Sequence, residues 1–197
     1  MKRFVIVVDM QRDFVAADGA LPVGGAEAIV QPMKAWLAGL RSEDVAGVLF
    51  TADTHVPAIY AASTEAEEFP PHCEKGTPGW KNVLDPDAID PAMPVYRLEK
   101  GMFDMWAEPD LTIAVVATDE QIARDAFFAE LKARGVNEVT VIGVAADYCI
   151  RWAIEGLLAR GFPVEVPTRL TRGIRRPIEQ VIADDFAGAP VRLEAAA

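Results

Sequence analysis

Two kinds of apolar pattern alternate along the chain. Short runs that are apolar at nearly every position are typical of strands buried on both faces of a parallel sheet, and they occupy residues 3–9, 47–53 and 139–144. Segments with apolar residues at helical spacing follow, at residues 28–40 and 150–158. This alternation predicts an α/β fold in three layers, with helices on both faces of a mainly parallel central sheet. The length of 197 residues predicts a single domain spanning residues 1–197.

The same patterns assign the rest of the chain. Strands are predicted at residues 93–100, 162–167 and 190–193, and helices at residues 122–135 and 176–186. The first of these strands is more polar than the others, which places it nearer a sheet edge. Leu111 to Val116 fits an extra strand or a hairpin, with Thr118 and Asp119 capping the next helix. Residues 54–90 predict a long irregular loop with at most one helical turn, near residues 63–67.

Four of the predicted strands lead to a side chain that can ionise. Asp9, Asp53 and Lys100 each close a strand, and Cys149 follows the run 139–144 across a turn of small residues. In open parallel sheets, ligands bind outside the carboxyl ends of the strands. We therefore expect these four side chains to gather at one edge of the sheet and to form the functional site.

Cys149 admits two interpretations. Asp147 stands where an N-cap belongs, which places the thiol in the first helical turn, where the helix dipole favours a thiolate and hence a nucleophile. The alternative is a small buried residue that only packs, the usual fate of a free cysteine. With a carboxylate to accept the thiol proton and an ammonium to favour the anions that form, the thiol would be an acyl-transfer centre.

The chain has two histidines, and both lie in the loop over residues 54–90. His55 follows Asp53 by two residues, and His72 comes from the far part of the loop. Two imidazoles and a carboxylate suit Zn²⁺, Fe²⁺ or Mn²⁺ and leave positions for water or substrate. Taken singly, each histidine is more simply explained as an exposed or hydrogen-bonded side chain. Their presence in one loop favours a metal site.

Composition narrows the range of partners. The chain has 30 acidic and 19 basic residues, a formal net charge of −11, which argues against binding to nucleic acid or to an anionic membrane surface. The apolar run after Lys2 and Arg3 is too short for a signal peptide or a membrane span. Two cysteines do not make a disulfide framework. We expect a cytoplasmic protein that acts on a small molecule.

Several motifs resemble those of the isochorismatase-like cysteine hydrolases, a family with a Rossmann-like α/β fold. Asp9-Met-Gln-Arg-Asp-Phe14 resembles the family's opening motif, Lys100 matches its lysine, and Gly143-Val-Ala-Ala-Asp-Tyr-Cys149 is similar to its nucleophile motif. Asp53-Thr-His55 and Phe69-Pro-Pro-His72 resemble the metal loop of the nicotinamidase/pyrazinamidase branch in particular. Some nicotinamidases also use a glutamate seven residues before the second histidine, the position that Glu65 occupies.

The resemblance implies a metal-dependent amidohydrolase that converts nicotinamide to nicotinate and ammonia, a reaction of NAD salvage. It assigns Asp9 as the proton acceptor, Cys149 as the nucleophile that forms a thioester, and Lys100 as the stabiliser of charge. It also implies an oxyanion hole made by the backbone N–H groups of Ala145 and Cys149, with a cis peptide bond before Ala145.

The resemblance further implies a divalent metal ion that binds the pyridine nitrogen. Zn²⁺ is expected first, with Fe²⁺ or Mn²⁺ as alternatives. The ligands implied are Asp53, His55, Glu65 and His72. Phe14 would pack on the substrate ring, and Cys73 would contribute packing or a soft ligand.

Two departures from the family pattern keep other hypotheses open. Residues 56–61 lack a further histidine that nicotinamidases often carry, and residues 101–118 do not follow the pattern of the segment that lines the pocket. Phe103 and Trp106 in that segment are either pocket walls or ordinary core. The alternatives are another small-amide or carbamoyl hydrolase of the family, and a non-catalytic ligand-binding or interaction subunit with this fold. The family's usual assembly predicts a homo-oligomer.

Overall fold

The computed structural model describes residues 2–194, in which nine strands form one sheet. The strands are Lys2–Val8 (β1), Val45–Asp53 (β2), Val95–Lys100 (β3), Thr112–Val115 (β4), Gln121–Ala123 (β5), Val136–Val144 (β6), Val164–Pro167 (β7), Thr171–Arg172 (β8) and Val191–Glu194 (β9). Their order is β5-β4-β3-β2-β1-β6-β7-β9, and β8 pairs with β6. β4 is antiparallel to β3 and β5, and the other pairings are parallel.

Helices cover both faces of this sheet. The α-helices are Arg12–Val15 (α1), Ala26–Ala38 (α2), Pro57–Tyr60 (α3), Arg124–Ala133 (α4), Cys149–Ala159 (α5) and Ile178–Asp185 (α6), and 3₁₀ turns occupy Glu65–Glu67, Pro86–Ala88 and Thr168–Leu170. Among the described residues, none of these helices has the length and apolar character that crossing a membrane requires.

The central strand β1 shows why the fold has three layers. Phe4, Ile6 and Val8 pack on one face, in a core with α4, α5 and α6. Val5 and Val7 point to the other face and pack with α1, α2 and parts of the loop over residues 54–90. Because successive side chains of a strand point to opposite faces, an uninterrupted apolar run serves two cores at once. The prediction of a three-layer, mainly parallel α/β fold is confirmed.

The segment after β3 forms a hairpin, one of the two structures expected for it. β4 and β5 extend the sheet beyond β3, so β3 lies between β2 and β4, nearer this edge of the sheet than β2 and β1. The prediction that Thr118 and Asp119 cap the next helix is wrong. Both backbone N–H groups donate to the Val115 carbonyl in the hairpin turn, and Asp119 has a left-handed φ of 56°. The helix α4 begins only at Arg124, because residues 121–123 pair with β4.

The loop over residues 54–90 is more structured than predicted. It contains α3 and two 3₁₀ turns, where the sequence indicated at most one helical turn. Pro57 starts α3 at a position that needs no N–H donor, and the Asp85 carboxylate caps the turn at Pro86–Ala88 by accepting from the Asp87 N–H. The Tyr60 hydroxyl ties the loop together by donating to the Phe69 carbonyl at 3.0 Å. The loop therefore has a defined shape that can present ligands.

Candidate active site and metal centre

The four ionisable residues that end the strands meet at one point. Lys100 Nζ lies 2.8 Å from Asp9 Oδ2, 2.5 Å from Asp53 Oδ1 and 3.5 Å from Cys149 Sγ. All four side chains are buried, with relative exposures of 5% or less. An ammonium between two carboxylates and a thiol is thus held away from bulk solvent, where electrostatic interactions are strong.

The strand register explains this meeting. Asp53 and Lys100 are opposite each other in the β2–β3 ladder, and Val8 pairs with Gly143 in the β1–β6 ladder, so all these strands end at the same level. Asp9 leaves β1 with a left-handed φ of 47°, a conformation that is costly for a residue other than glycine. The Thr51 hydroxyl donates to Asp9 Oδ1 at 2.6 Å and accepts from the Asp9 N–H at 3.2 Å, which fixes the carboxylate.

The charges of this cluster are strongly coupled. Burial raises the pKa of Asp9, and the nearby Asp53 carboxylate adds to this, while Lys100 offsets part of it. Burial alone would also raise the pKa of Asp53, but the charge of Lys100 and the imidazoles of His55 and His72 hold it well below its usual range. Burial by itself would lower the pKa of Lys100, but the carboxylates of Asp53 and Asp9 raise it well above the usual value. Asp9 is therefore the carboxyl group whose proton affinity suits proton transfer.

Cys149 is the first residue of α5, as predicted, but Asp147 is not its cap. Tyr148 occupies the N-cap position and its side chain makes no capping hydrogen bond. The Asp147 carboxylate instead accepts from the backbone N–H groups of residues 174, 175 and 176, at 2.7–3.0 Å. Three donors from one distant segment satisfy this carboxylate better than a single helical N–H could. Asp147 thus anchors the segment after β8 to a point close to Cys149 in the chain.

The expectation that the helix terminus favours a thiolate is also wrong. Burial raises the pKa of the Cys149 thiol well above its usual value, with Lys100 lowering it and the Asp9 and Asp53 carboxylates raising it further. The helix dipole acts on a thiol that is 5% exposed and faces two negative charges. A raised pKa favours the neutral thiol, so a nucleophilic role would require a base, and the Asp9 carboxylate belongs to the same cluster.

A second cluster adjoins the first. His55 Nε2 and His72 Nε2 each lie 3.6 Å from Asp53 Oδ2, and they lie 3.6 and 3.3 Å from Glu65 Oε1. The four ligand atoms are all within 4.8 Å of one another, and all four residues are buried. The loop over residues 54–90 supplies three of them, and Asp53 at the end of β2 supplies the fourth.

The residues of this cluster fit a divalent metal ion. Within residues 2–194, Asp53 Oδ2, His55 Nε2, Glu65 Oε1 and His72 Nε2 are buried polar atoms without a hydrogen bond. Ligand atoms about 2.1 Å from one ion would lie roughly 3.0–3.4 Å apart at coordination angles between 90° and the tetrahedral value, close to the four histidine–carboxylate separations of 3.3–3.6 Å. The His72 Nδ1–H donates to the Pro70 carbonyl at 2.8 Å, so Nε2 keeps its lone pair for an ion. Burial by itself would lower the pKa of His72, but the carboxylates of Asp53 and Glu65 raise it to about 9. This raised pKa indicates that the site favours positive charge.

Asp53 links the two clusters. Its Oδ1 accepts from Lys100 at 2.5 Å, and its Oδ2 faces the two histidines. The Gln11 side chain fixes the Asp53 backbone from both sides, since its Nε2 donates to the Asp53 carbonyl and its Oε1 accepts from the Asp53 N–H, each at 2.8 Å. An ion bound by the metal cluster would therefore change the electrostatic environment of Lys100 through the Asp53 carboxylate that both share.

Aromatic residues surround the two clusters. Phe14 is buried, with its ring centroid 5.2 Å from that of His72. Phe103 packs with Phe69 and Tyr148, at centroid distances of 5.7 and 5.2 Å. Trp106 packs on Phe128 and donates its indole N–H to the Trp152 carbonyl. Both residues are partly buried against the core, which favours the core interpretation over that of pocket walls. Cys73 lies in the core and outside the cluster of metal ligands.

Asp13 is a site residue that the sequence analysis passed over. Its Oδ2 accepts from the Cys73 N–H at 2.8 Å, directly after His72. Its backbone N–H donates to the Gly79 carbonyl at 3.0 Å, and a Cβ at Gly79 would collide with the Asp13 carboxylate. Asp13 thus holds the second half of the metal loop. The sequence feature that indicates Asp13 is its place in the motif Asp9-Met-Gln-Arg-Asp-Phe14. Thr51, which binds Asp9, was also passed over, and the feature that indicates it is a hydroxyl side chain inside the apolar run over residues 47–53.

Replacing Asp13 by alanine is expected to weaken the binding of a divalent metal, measured with zinc as the probe, about 10- to 100-fold, the usual effect of losing an outer contact of a metal site. The buried Cys73 N–H would lose its acceptor, at a cost of roughly 1–3 kcal/mol of stability. Competition with a zinc-binding dye measures the affinity. Asp18→Ala, which removes an exposed carboxylate paired with Arg12, is the matched control and should leave the affinity unchanged. Equal affinities for both variants would contradict the role of Asp13.

Comparison with known proteins identifies the family. The model of the isochorismatase domain matches residues 3–177. The chain belongs to the isochorismatase family. Within this family it is 30% identical over 196 residues to the nicotinamidase/pyrazinamidase of Mycobacterium tuberculosis, and the match covers 97% of both chains.

Solved structures of isochorismatase-family relatives superimpose over almost the whole chain. The pyrazinamidase of Pyrococcus horikoshii in complex with zinc gives a TM-score of 0.73 at 25% identity and 100% coverage of both chains. The N-carbamoylsarcosine amidase of Thermoplasma acidophilum gives a TM-score of 0.69 at 24% identity, covering 98% of this chain and 96% of that chain. Proteins named for different amides thus share the fold, so the fold alone does not choose the substrate.

Proposed function

We propose that this protein hydrolyses nicotinamide to nicotinate and ammonia through a thioester on Cys149. The observation that carries the proposal is the single cluster of Asp9, Lys100 and Cys149 around Lys100 Nζ, with the metal cluster joined to it by Asp53. The similarity over 97% of the chain to a nicotinamidase/pyrazinamidase supports the choice of amide.

The first half-reaction uses Asp9 as base and then as acid. The Asp9 carboxylate accepts the Cys149 proton, and Sγ forms a bond to the carbonyl carbon of the amide. The carbon–nitrogen bond then breaks, and Asp9 returns the proton to the departing nitrogen, which leaves as ammonia. Burial raises the pKa of Asp9, which makes this carboxylate a stronger base toward the thiol than a solvated aspartate would be. Lys100 stays charged and stabilises the anion that develops on Cys149, whose Sγ lies 3.5 Å from Nζ.

The oxyanion would be held by the backbone N–H groups of Ala145 and Cys149. The peptide bond before Ala145 is cis, at the position that the family resemblance implies. Within the described residues 2–194, the Ala145 N–H donates no hydrogen bond, and the N–H of Cys149 is at a helix start, where no helical acceptor exists. In the second half-reaction, Asp9 takes a proton from water, whose oxygen attacks the thioester carbon. The carbon–sulfur bond then breaks, Asp9 returns the proton to Sγ, and the acid formed releases its own proton to the ammonia or to solvent as nicotinate.

Asp53, His55, Glu65 and His72 would hold a divalent ion, for which we propose Zn²⁺. When bound, such an ion acts as a Lewis acid and offers a coordination position to the pyridine nitrogen. Phe14 beside His72 would pack on the ring and orient the carboxamide toward Sγ.

Removing the metal with a chelator is expected to lower ammonia release from nicotinamide by about 100-fold or more, and adding zinc should restore it. The chelator is removed before the assay, and the His72→Ala variant should resemble the stripped protein and not respond to zinc. Full activity of the stripped protein would leave the cysteine mechanism in place and contradict the metal's role. A zinc-loaded protein without activity on nicotinamide would contradict the proposed substrate.

A further inference from the structure

A cavity of about 280 Å³ lies apart from Cys149, between β2, β3 and the segment after Gly79. We propose that this cavity is a second binding site, for a small aromatic carboxylate. The cavity is lined by the aromatic residues Phe50 and Trp80 and by the polar residues Lys81, Asn82 and Arg97. The ring of Tyr96 packs instead on the other face of the sheet, against Phe4 and Phe127.

The size of the cavity limits the ligand. Ligand sites in proteins usually occupy about 300 to 1,000 Å³, so this cavity is slightly smaller than the usual range. It accommodates a single ring with one substituent and excludes a nucleotide. Two aromatic residues in its walls, Phe50 and Trp80, favour a flat aromatic ligand over an aliphatic one.

The charge of the lining indicates an anion. None of the lining residues is acidic, in a chain with 30 acidic residues. Within residues 2–194 Lys81 forms no ion pair, and Arg97 contacts Glu99 only at 3.5 Å. The Asn82 side-chain oxygen already accepts from the Leu84 N–H at 2.8 Å, so its NH₂ group is left to donate. Two cations and an amide donor at the rim of an aromatic cavity match a carboxylate on a ring.

The cavity is connected to the catalytic cluster without including it. Thr51 lines the cavity, and its hydroxyl donates to Asp9. The Trp80 carbonyl accepts from the Gln11 side chain that fixes Asp53, at 2.8 Å. Aromatic carboxylates are also the product class of the proposed activity, so a site of this chemistry would let the protein respond to its product. Binding at the cavity can nevertheless be measured whether or not the proposed function holds.

Benzoate is the probe, because it carries the ring and the carboxylate but no pyridine nitrogen for a metal. We expect it to shift the NMR signal of the Trp80 indole N–H of zinc-loaded protein in a saturable way, with the Trp36 indole on α2 as internal reference. Removing both cations, in Lys81→Ala/Arg97→Ala, should weaken benzoate binding about tenfold or more. The matched control Lys34→Ala/Arg169→Ala removes the same charge outside the cavity and should change the affinity by less than about twofold.

A second variant tests the position of the ligand. Val116 lines the cavity and is half exposed, so Val116→Trp supplies a ring that should occupy the site and abolish the Trp80 shift. Benzyl alcohol, the neutral analogue, should bind at least about tenfold more weakly than benzoate. The proposal is overturned if millimolar benzoate leaves Trp80 unchanged, if the two double variants bind alike, or if Val116→Trp binds as the wild type does.

Discussion

Replacing Cys149 by alanine is expected to reduce ammonia release from nicotinamide by roughly 10⁵- to 10⁶-fold, the effect of deleting a catalytic nucleophile. Asp9 and Lys100 remain in the variant, but neither can form the thioester that divides the reaction into two steps. Because Cys149 is a small buried residue at the start of α5, alanine fits the same space, and the fold and the zinc content should not change. Circular dichroism and metal analysis check both.

Cys73→Ala is the matched control for this experiment. Cys73 is also a buried free thiol, and its backbone N–H, which contacts Asp13, is kept in the variant. Its pKa is raised by burial and by nearby carboxylates, and it has no contact with Lys100 comparable to that of Cys149. We expect Cys73→Ala to retain activity within about tenfold. Mass spectrometry of the wild type during turnover should reveal an acyl adduct on Cys149, and an adduct on Cys73 instead would contradict the assignment.

The strand ends can be predicted because the information is local. A continuous apolar run marks a buried parallel strand, and the residue that closes it must lie at the carboxyl edge of the sheet. Asp9, Asp53 and Lys100 are found in this way from the sequence, and the structure brings them together with Cys149. Local information did not suffice everywhere: Thr118 and Asp119 form a hairpin turn rather than a helix cap, and other errors arise where distant parts of the chain decide the structure.

Two errors illustrate this limit. Asp147 has the composition and position of an N-cap, but its carboxylate accepts instead from residues 174–176, which no local pattern places beside it. The thiol of Cys149 has the helix position that favours a thiolate, but burial and two carboxylates from other strands reverse the direction of its pKa shift. Burial and long-range charge are properties of the packed molecule, so propensity rules cannot supply them.

Replacing Lys100 by methionine is expected to cost about 3–5 kcal/mol of stability, because the buried carboxylates of Asp9 and Asp53 lose the cation between them. Methionine is apolar and close to the lysine stem in shape, so the loss reflects charge more than packing. Activity should fall by about 100- to 1,000-fold, since the anions of the reaction lose their stabilising charge. Urea unfolding and the ammonia assay measure the two effects.

The stability loss should also depend on pH in a defined direction. In the variant, the pKa of Asp9 rises further above its unfolded value, because the group that lowered it is gone. A native state that binds protons more tightly than the unfolded state gains stability as the pH falls. The difference in unfolding free energy between the wild type and Lys100→Met, both measured in chelator, should therefore be largest at neutral pH and shrink as the pH falls.

The Lys75→Met variant tests whether the loss of stability in Lys100→Met comes from the burial of the ion pairs or from ion pairing alone. Lys75 forms a 2.7 Å ion pair with Glu99, as short as those of Lys100, but its side chain is 56% exposed. Exposed pairs contribute about 0–1 kcal/mol, so this variant should unfold almost as the wild type does at every pH. Equal losses for the two variants would mean that the Lys100 carboxylate pairs are solvated in solution. A large loss of stability for Lys100→Met alone would establish that the fold requires a cation to neutralise the buried carboxylates of Asp9 and Asp53. One of these, the Asp9 carboxylate, is the group that the proposed reaction uses for proton transfer.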